Sequence, residues 1–202
     1  MGDSISSGLI LVGELSLWVA MLMAAWSATV SFAGGRDGRA DLVHSGERAL
    51  YATFGFVVLA SVGLWTALFT HDFSIKFVAS YTSANLPKIY TFTAFWAGQA
   101  GSLLFWTLIL AGYAAAAVAS GRGERTRAFL PYVTGTLSVI TLFFLATMCF
   151  GANPYERLDW TPADGRGMNP QLQNPGMAIH PPMLYLGYVA TCLLYTSPSP
   201  RD

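Results

Sequence analysis

Charge is what this sequence has least of. Asp, Glu, Lys and Arg make up 11% of its 202 residues, less than half the roughly 25% usual in soluble domains. The few charges balance to a formal net charge of zero, which excludes the broad basic field of a nucleic-acid-binding surface. Cysteine is nearly missing as well. Cys149 and Cys192 form no CxxC and no zinc spacing, and they supply no disulfide framework. The opening "MGDSISSG" carries no Lys or Arg, so the first apolar run reads as a retained span and not as a secretory signal. No internal repeat of useful length is visible, which weakens an inverted-repeat transporter architecture.

What fills the chain is apolar. Hydrophobic residues make up 53% of it and aromatics 14%. Apolar runs fall at 15–32, which could reach back to Gly8, and at 50–69, 102–119 and 129–150. Each has the roughly 17–25 residues that a helix needs to cross a hydrocarbon core of about 30 Å. A fifth run begins at Pro181. The expected fold is an all-α integral membrane protein: a polytopic helical bundle with four complete transmembrane helices, the start of a fifth, and structured outer loops.

Basic residues orient the stack. The loops after spans one and three, "GGRDGRADLVHSGER" and "GRGERTR", hold Arg36, Arg39, Arg48, Arg122, Arg125 and Arg127. The longer loops after spans two and four hold Lys76, Lys88, Arg157 and Arg166. The first set is packed close to membrane ends, where the positive-inside rule applies. The N-terminus and the long loops 70–101 and 151–180 are therefore expected outside, with His180 facing the periplasmic or equivalent side.

The outer loops carry the functional signal. Long structured loops in a compact protein are usually functional or disordered, and disorder fits poorly with so many aromatics in "DFSIKFVASYTSANLPKIYTFTAFWAGQAGSLLFW". Within it, Gly98, Ala100, Gly101 and Ser102 are small enough for close backbone approach, and Trp96 and Trp106 flank them. Composition reads Trp96 and Gln99 as interfacial residues just outside span three, beside a tight helix–helix contact. The alternative is an aromatic ledge for a flat apolar ligand.

The second long loop, "GANPYERLDWTPADGRGMNPQLQNPGMAIHPP", contains Asn-Pro three times, and each favours a turn. A loop so punctuated has little freedom to lose and is expected to be ordered. Proline suits the first turn of a helix, and the residue before it is pushed toward extended geometry. His180 is therefore expected near an N-cap, with Pro181 and Pro182 opening span five. Four roles stay open for it: an interfacial imidazole bonded to water or a loop carbonyl, an axial ligand to haem iron, a proton relay, or a quinone contact.

The segment "DGRGMNPQLQNPGMAIHPPMLYLGYV" resembles the signature of the CcmF/NrfE membrane proteins of cytochrome c maturation. "DFSIKFVASYTSANLPKIY" is similar to the first outer loop of that family, and "WAGQAGSLLFW" to its Trp-Gly…Gly-Ser-Leu-Leu…Trp segment. The likeness runs from about Glu14 to Ala190 in the right order, and the Asn-Pro…His-Pro-Pro part is its most specific piece. It implies a haem lyase component in the bacterial inner membrane. Such a protein receives b-type haem in transit from the chaperone CcmE and, with other Ccm lyase subunits, assists its thioether attachment to apocytochrome c. His180 would be one of two outer axial ligands, Trp96 would lie beside the haem, and Arg166 and Asn169 would contact its propionates or fix the loop. The second ligand and the Trp-Trp-Asp segment lie further downstream in the family. The resemblance makes residues 1–191 the N-terminal part of a CcmF-like membrane domain. No charge-based role can be placed at Ala100, where many relatives carry an acidic residue, and nothing carries over to His71.

The tail departs from this pattern. "CLLYTSPSPRD", residues 192–202, back-translates to a transposase adapter used in library preparation, so it is expected to be translated adapter and not native chain. A fragment of this kind is expected to be inactive alone. The competing functional class is a piece of a polytopic transporter or channel whose outer vestibule happens to hold His180.

Overall fold

The computed structural model describes residues 2–121, 123 and 126–194. Helices α1 (Gly2–Asp37), α2 (Ala40–Phe69), α5 (Gln99–Ser120) and α6 (Leu130–Phe150) form the bundle. All four are long and apolar enough to cross a membrane. Short helices α3 (Lys76–Tyr81) and α4 (Lys88–Thr93) and a 3-10 turn (Ala94–Trp96) connect α2 to α5. A 3-10 turn at Pro170–Leu172 precedes α7 (Pro175–Leu194). Among the described residues there is no strand.

The first two helices run much further than hydropathy suggests. The stretch expected as an arginine-rich loop is helical on both sides of a single turn. Gly38 adopts the left-handed conformation at φ +66°, and the Arg39 amide reaches back to the Gly34 carbonyl at 3.0 Å. That is the glycine-dependent stop that ends one helix and lets the next begin at once. Arg36 and Arg48 therefore belong to helices. Hydropathy marks where apolar side chains end, whereas a helix continues into water for as long as its backbone bonds are satisfied.

Small and hydroxyl residues bring the helices together. The Ser27 hydroxyl donates to the Gly46 carbonyl at 2.8 Å and lies 2.8 Å from the Ser138 hydroxyl, tying α1, α2 and α6 at one level. Without a hydrophobic drive between helices in lipid, such close packing and interhelical bonding hold a bundle together. Near the opposite end, α1 and α2 meet at Gly13 and Gly63. A methyl group added at Gly63 would sit 2.8 Å from the Gly13 Cα, so only glycine allows this approach.

The two long connections pack on each other at this glycine-paired end. Ile75 pairs antiparallel with Arg157, the Lys76 amide donates to the Glu156 carbonyl at 2.8 Å, and the Leu158 amide donates to Ser74 at 2.8 Å. Further along, the amides of Arg166 and Gly167 donate to the carbonyls of Ala79 and Thr82. Asp164 accepts from the Ala84 amide at 2.8 Å. Both loops thus share one end of the bundle, and the turn at Gly38 and the start of α6 occupy the other.

Candidate functional site

Tyr155 anchors the loop end. Its side chain, 1% exposed, enters between α1 and α2, where Gly13 and Gly63 leave room for the phenol. The hydroxyl donates to the Ala60 carbonyl. Burial, with the nearby Glu14 carboxylate adding to it, pushes the Tyr155 phenol far above its ordinary range. It therefore stays protonated and remains a donor. This fixes the start of the 151–174 loop against the helices, and that loop leads directly to α7.

Helix α7 starts six residues before the expected point. The Asn174 side chain accepts from the Gly176 amide at 2.8 Å, its carbonyl accepts from the Ala178 amide at 3.0 Å, and Pro175 follows as the first helical residue. Asn at the cap with Pro at the first position is a strong helix start. His180 is therefore not near an N-cap. It lies in the second turn, and Pro181 and Pro182 are inside the helix. From Pro175 the described helix has 20 residues, or roughly 30 Å at 1.5 Å per residue.

The orientation of α7 follows from its contacts. Tyr185 packs on Phe105 and Trp106 of α5 at ring-centroid distances of 5.8 and 5.2 Å, and Val189 is buried. Ala178, Pro181 and Pro182 are half-buried on the same side. His180 is exposed, and on the helix surface it neighbours Met177, Met183 and Leu184, all exposed apolar side chains. Its imidazole has no hydrogen-bond or ring partner among the described residues. A neutral imidazole on an otherwise apolar, uncovered face can ligate a metal, accept a proton or bond a polar ligand edge. Among the described residues no three His, Cys, Asp or Glu side chains group to hold a metal ion.

Trp96 precedes α5 in the 3-10 turn and is half-buried. It stacks on Phe105 at 5.1 Å and meets Phe92 edge-on at 5.5 Å. Phe92 in turn stacks on Trp65 at 5.3 Å. Because Phe105 also touches Tyr185, a continuous string of rings joins Trp65, Phe92, Trp96 and Phe105 to α7, and Trp106 and Phe144 extend it at 5.7 Å. The small residues beside Trp96 serve this packing. Gly98 backs onto the Tyr81 ring, and Gly101 backs onto Phe77 and the Phe95 carbonyl. The expected tight contact there is made with the short helix α3 and the 3-10 turn, not with another long span, and Gln99 lies inside α5, not outside it.

The remaining site candidates sit in the 151–174 loop. Arg166 is exposed, and its backbone amide is used in the inter-loop bond. Asn169 is exposed too. Its side chain accepts from the Gln171 amide at 3.0 Å and so caps the 3-10 turn. The structure brings Trp96 and α7 into one aromatic string, while Arg166 and Asn169 stand on the loop that precedes that helix. Tyr155, Asn174 and Tyr185 went unnoticed in the sequence. The Asn-Pro pair signalled Asn174, whereas nothing local marks the other two.

The sequence profile described as Cytochrome C assembly protein matches residues 96–197. The chain belongs to the CcmF/NrfE family of cytochrome c maturation proteins. It is 39% identical over 186 residues to the cytochrome c-type biogenesis protein ccl1 of Rhodobacter capsulatus, covering 91% of this chain and 28% of that one. It is 36% identical to CcmF of Pseudomonas fluorescens, covering 88% and 27%, and 36% identical to NrfE of Haemophilus influenzae, covering 67% and 21%. A solved structure titled Cytochrome c Heme Lyase CcmF superposes with a TM-score of 0.74 at 26% identity, covering 90% of this chain and 28% of that chain. The chain thus spans between 21% and 28% of the length of these relatives. The expected family and the helical membrane architecture are both borne out. The profile match ends at Ser197, within the 192–202 tail. Of that tail, residues 195–202 lie outside the described residues.

Proposed function

We propose that this chain is the N-terminal part of a haem lyase that holds haem as substrate at one membrane face for transfer to apocytochrome c. The carrying observation is His180: an unpartnered imidazole on an exposed, otherwise apolar face of α7. Haem is a flat apolar ring with a metal that takes imidazole axially and with anionic propionates at one edge. The arrangement suits each part. His180 takes one axial position, Met177 and Met183 offer apolar contact beside it, and the Arg166 guanidinium is free to meet a propionate. Trp96 acts through the ring string that seats α7, and Asn169 holds the loop in register. In the attachment step, a cysteine S–H adds across a haem vinyl group. The contribution of these residues is to fix where the haem lies.

We place the N-terminus and both long loops on the periplasmic side of a bacterial inner membrane, supported by the arginine distribution. The partners of the whole protein are then the haem chaperone CcmE, apocytochrome c and other Ccm lyase subunits, and the haem is b-type until it is attached. Residues 192–202 are proposed as translated adapter. The source DNA decides this, and codons unlike the adapter followed by a genuine stop would reject it.

The test of the haem reading uses the completed gene. His180→Ala is expected to lower cytochrome c assembly sharply while the protein remains in the membrane. His180→Cys is expected to keep some haem with an altered spectrum, because thiolate is also an axial ligand. His44→Ala and His71→Ala serve as controls with mild effects. Near-normal maturation in His180→Ala would remove the ligand role. Absence of a Soret band in the purified full-length protein would favour the transporter or channel alternative.

A further inference from the structure

The bundle has a concavity at the end opposite the loops. Between the turn that joins α1 to α2 and the start of α6 lies a cavity of about 630 Å³. Its lining is split between polar and apolar surface. Val43 and Pro131 supply part of the apolar side, and His44, Glu47, Arg48, Tyr51 and Arg127 the polar side. Three observations make it more than a crevice between helix ends. The phenol oxygen of Tyr51 is buried without a hydrogen-bond partner among the described residues, and a buried hydroxyl in that state is costly unless something bonds it. Glu47, with a side chain only 9% exposed, is held beside His44 at 3.6 Å, so the one carboxylate of the lining is already engaged. The guanidinium-bearing Arg48 and Arg127 reach the cavity from two different elements, and both are exposed at its mouth.

We infer that this cavity binds a phosphate group, with Arg48, Arg127 and the Tyr51 hydroxyl as its donors. Guanidinium pairs with phosphate oxygens through directed, charge-assisted bonds, and a phenol adds one more donor to an oxyanion. Val43, Leu130 and Pro131 set apolar wall beside the polar groups, which suits a phosphate that carries an acyl chain. Basic pockets between helices near a membrane surface suit anionic lipid headgroups in this way. Glu47 is the adverse charge. In the lining it is outnumbered by the guanidinium groups of Arg48 and Arg127. This site is independent of the haem reading, because no residue in it is shared with the loop end.

The experiment uses the purified chain in neutral detergent. Phosphatidylglycerol, phosphatidylcholine and inorganic phosphate are titrated separately, with native mass spectrometry reading bound lipid and Tm shift reading all three. Binding of phosphatidylglycerol over phosphatidylcholine identifies a lipid headgroup, and saturable binding of inorganic phosphate at millimolar concentration identifies a soluble phosphate. Either result supports the site. The paired Arg48→Gln, Arg127→Gln variant should bind about 30-fold more weakly, and Tyr51→Phe should bind more weakly without loss of helicity by far-UV circular dichroism. Equal binding of both lipids with no response to phosphate would overturn the inference. So would unchanged affinity in both variants.

Discussion

The contact of Tyr155 with Gly13 and Gly63 can be taken apart quantitatively. Tyr155→Phe removes one buried hydrogen bond, but the Ala60 carbonyl lies inside α2 and keeps its helical donor. No orphaned acceptor is left, so the cost should fall near the net value of a hydrogen bond, about 1 kcal/mol. Gly63→Ala acts by a different route. The new methyl would lie 2.7 Å from the Tyr155 oxygen and 2.8 Å from the Gly13 Cα, so both the phenol and the α1 backbone must move. Overpacking of this kind costs about 1–3 kcal/mol. In the double variant the phenol oxygen is gone, and one of the two clashes goes with it. The double should therefore cost less than the sum of the singles, by about 1 kcal/mol.

Thermal unfolding of the purified protein in a single detergent, followed by far-UV circular dichroism, measures all three. The expected order of Tm is native, then Tyr155→Phe, then Gly63→Ala, with the double above the additive value. A Gly63→Ala protein that unfolds at the native temperature would refute the packing argument. Strict additivity would refute the contact between the phenol and Gly63 while leaving the helix–helix approach intact.

Other expectations are simpler to state. Asn174→Ala removes the α7 cap and should cost about 1 kcal/mol of helix stability, read as faster amide exchange at Gly176 with the bundle unchanged. In a background with Cys149 and Cys192 replaced by Ser, a cysteine at Ser83 should react with an impermeant thiol reagent in intact cells and one at Ser120 should not; the reverse pattern inverts the membrane orientation. Lys76→Ala breaks an exposed pair with Glu156 at 2.9 Å and should change stability by less than about 1 kcal/mol, because the backbone bonds between the two loops remain.

The membrane spans were legible because lipid imposes a strong and simple demand: about 20 apolar residues in a row. Their ends were not, because the residues that stop a helix act through the backbone. Gly38 ends α1 by adopting a left-handed φ, and the arginines around it do not. The start of α7 was legible in principle from Asn174 and Pro175, but the later Pro181–Pro182 pair is a louder version of the same signal. His180 stands out in the sequence through its chemistry and its neighbours. Its companions do not, since Tyr185 meets Phe105 and Trp106 only after α5 and α7 have packed. Tyr155 looks like any polar loop residue until two distant glycines are seen to leave space for it.

The position of the two prolines leads to one more prediction, which rests on the haem reading. Inside a helix, proline lacks the amide that would bond the carbonyl four residues back. Pro181 and Pro182 therefore leave the carbonyls of Met177 and Ala178 without their helical donors, in the turn that carries His180. That turn is held helical from outside itself, by the Asn174 cap on one side and Tyr185 against α5 on the other. A ligand helix built this way is locally weak where the imidazole projects, so His180 can adjust to an incoming iron without moving the bundle. Replacing both prolines by Ala should restore two hydrogen bonds and raise helix stability by several kcal/mol, since each interior proline costs about 3 kcal/mol. If the weak turn serves haem capture, the same variant should mature cytochrome c more slowly despite its higher Tm. A protein both more stable and fully active would show that the prolines only direct the chain.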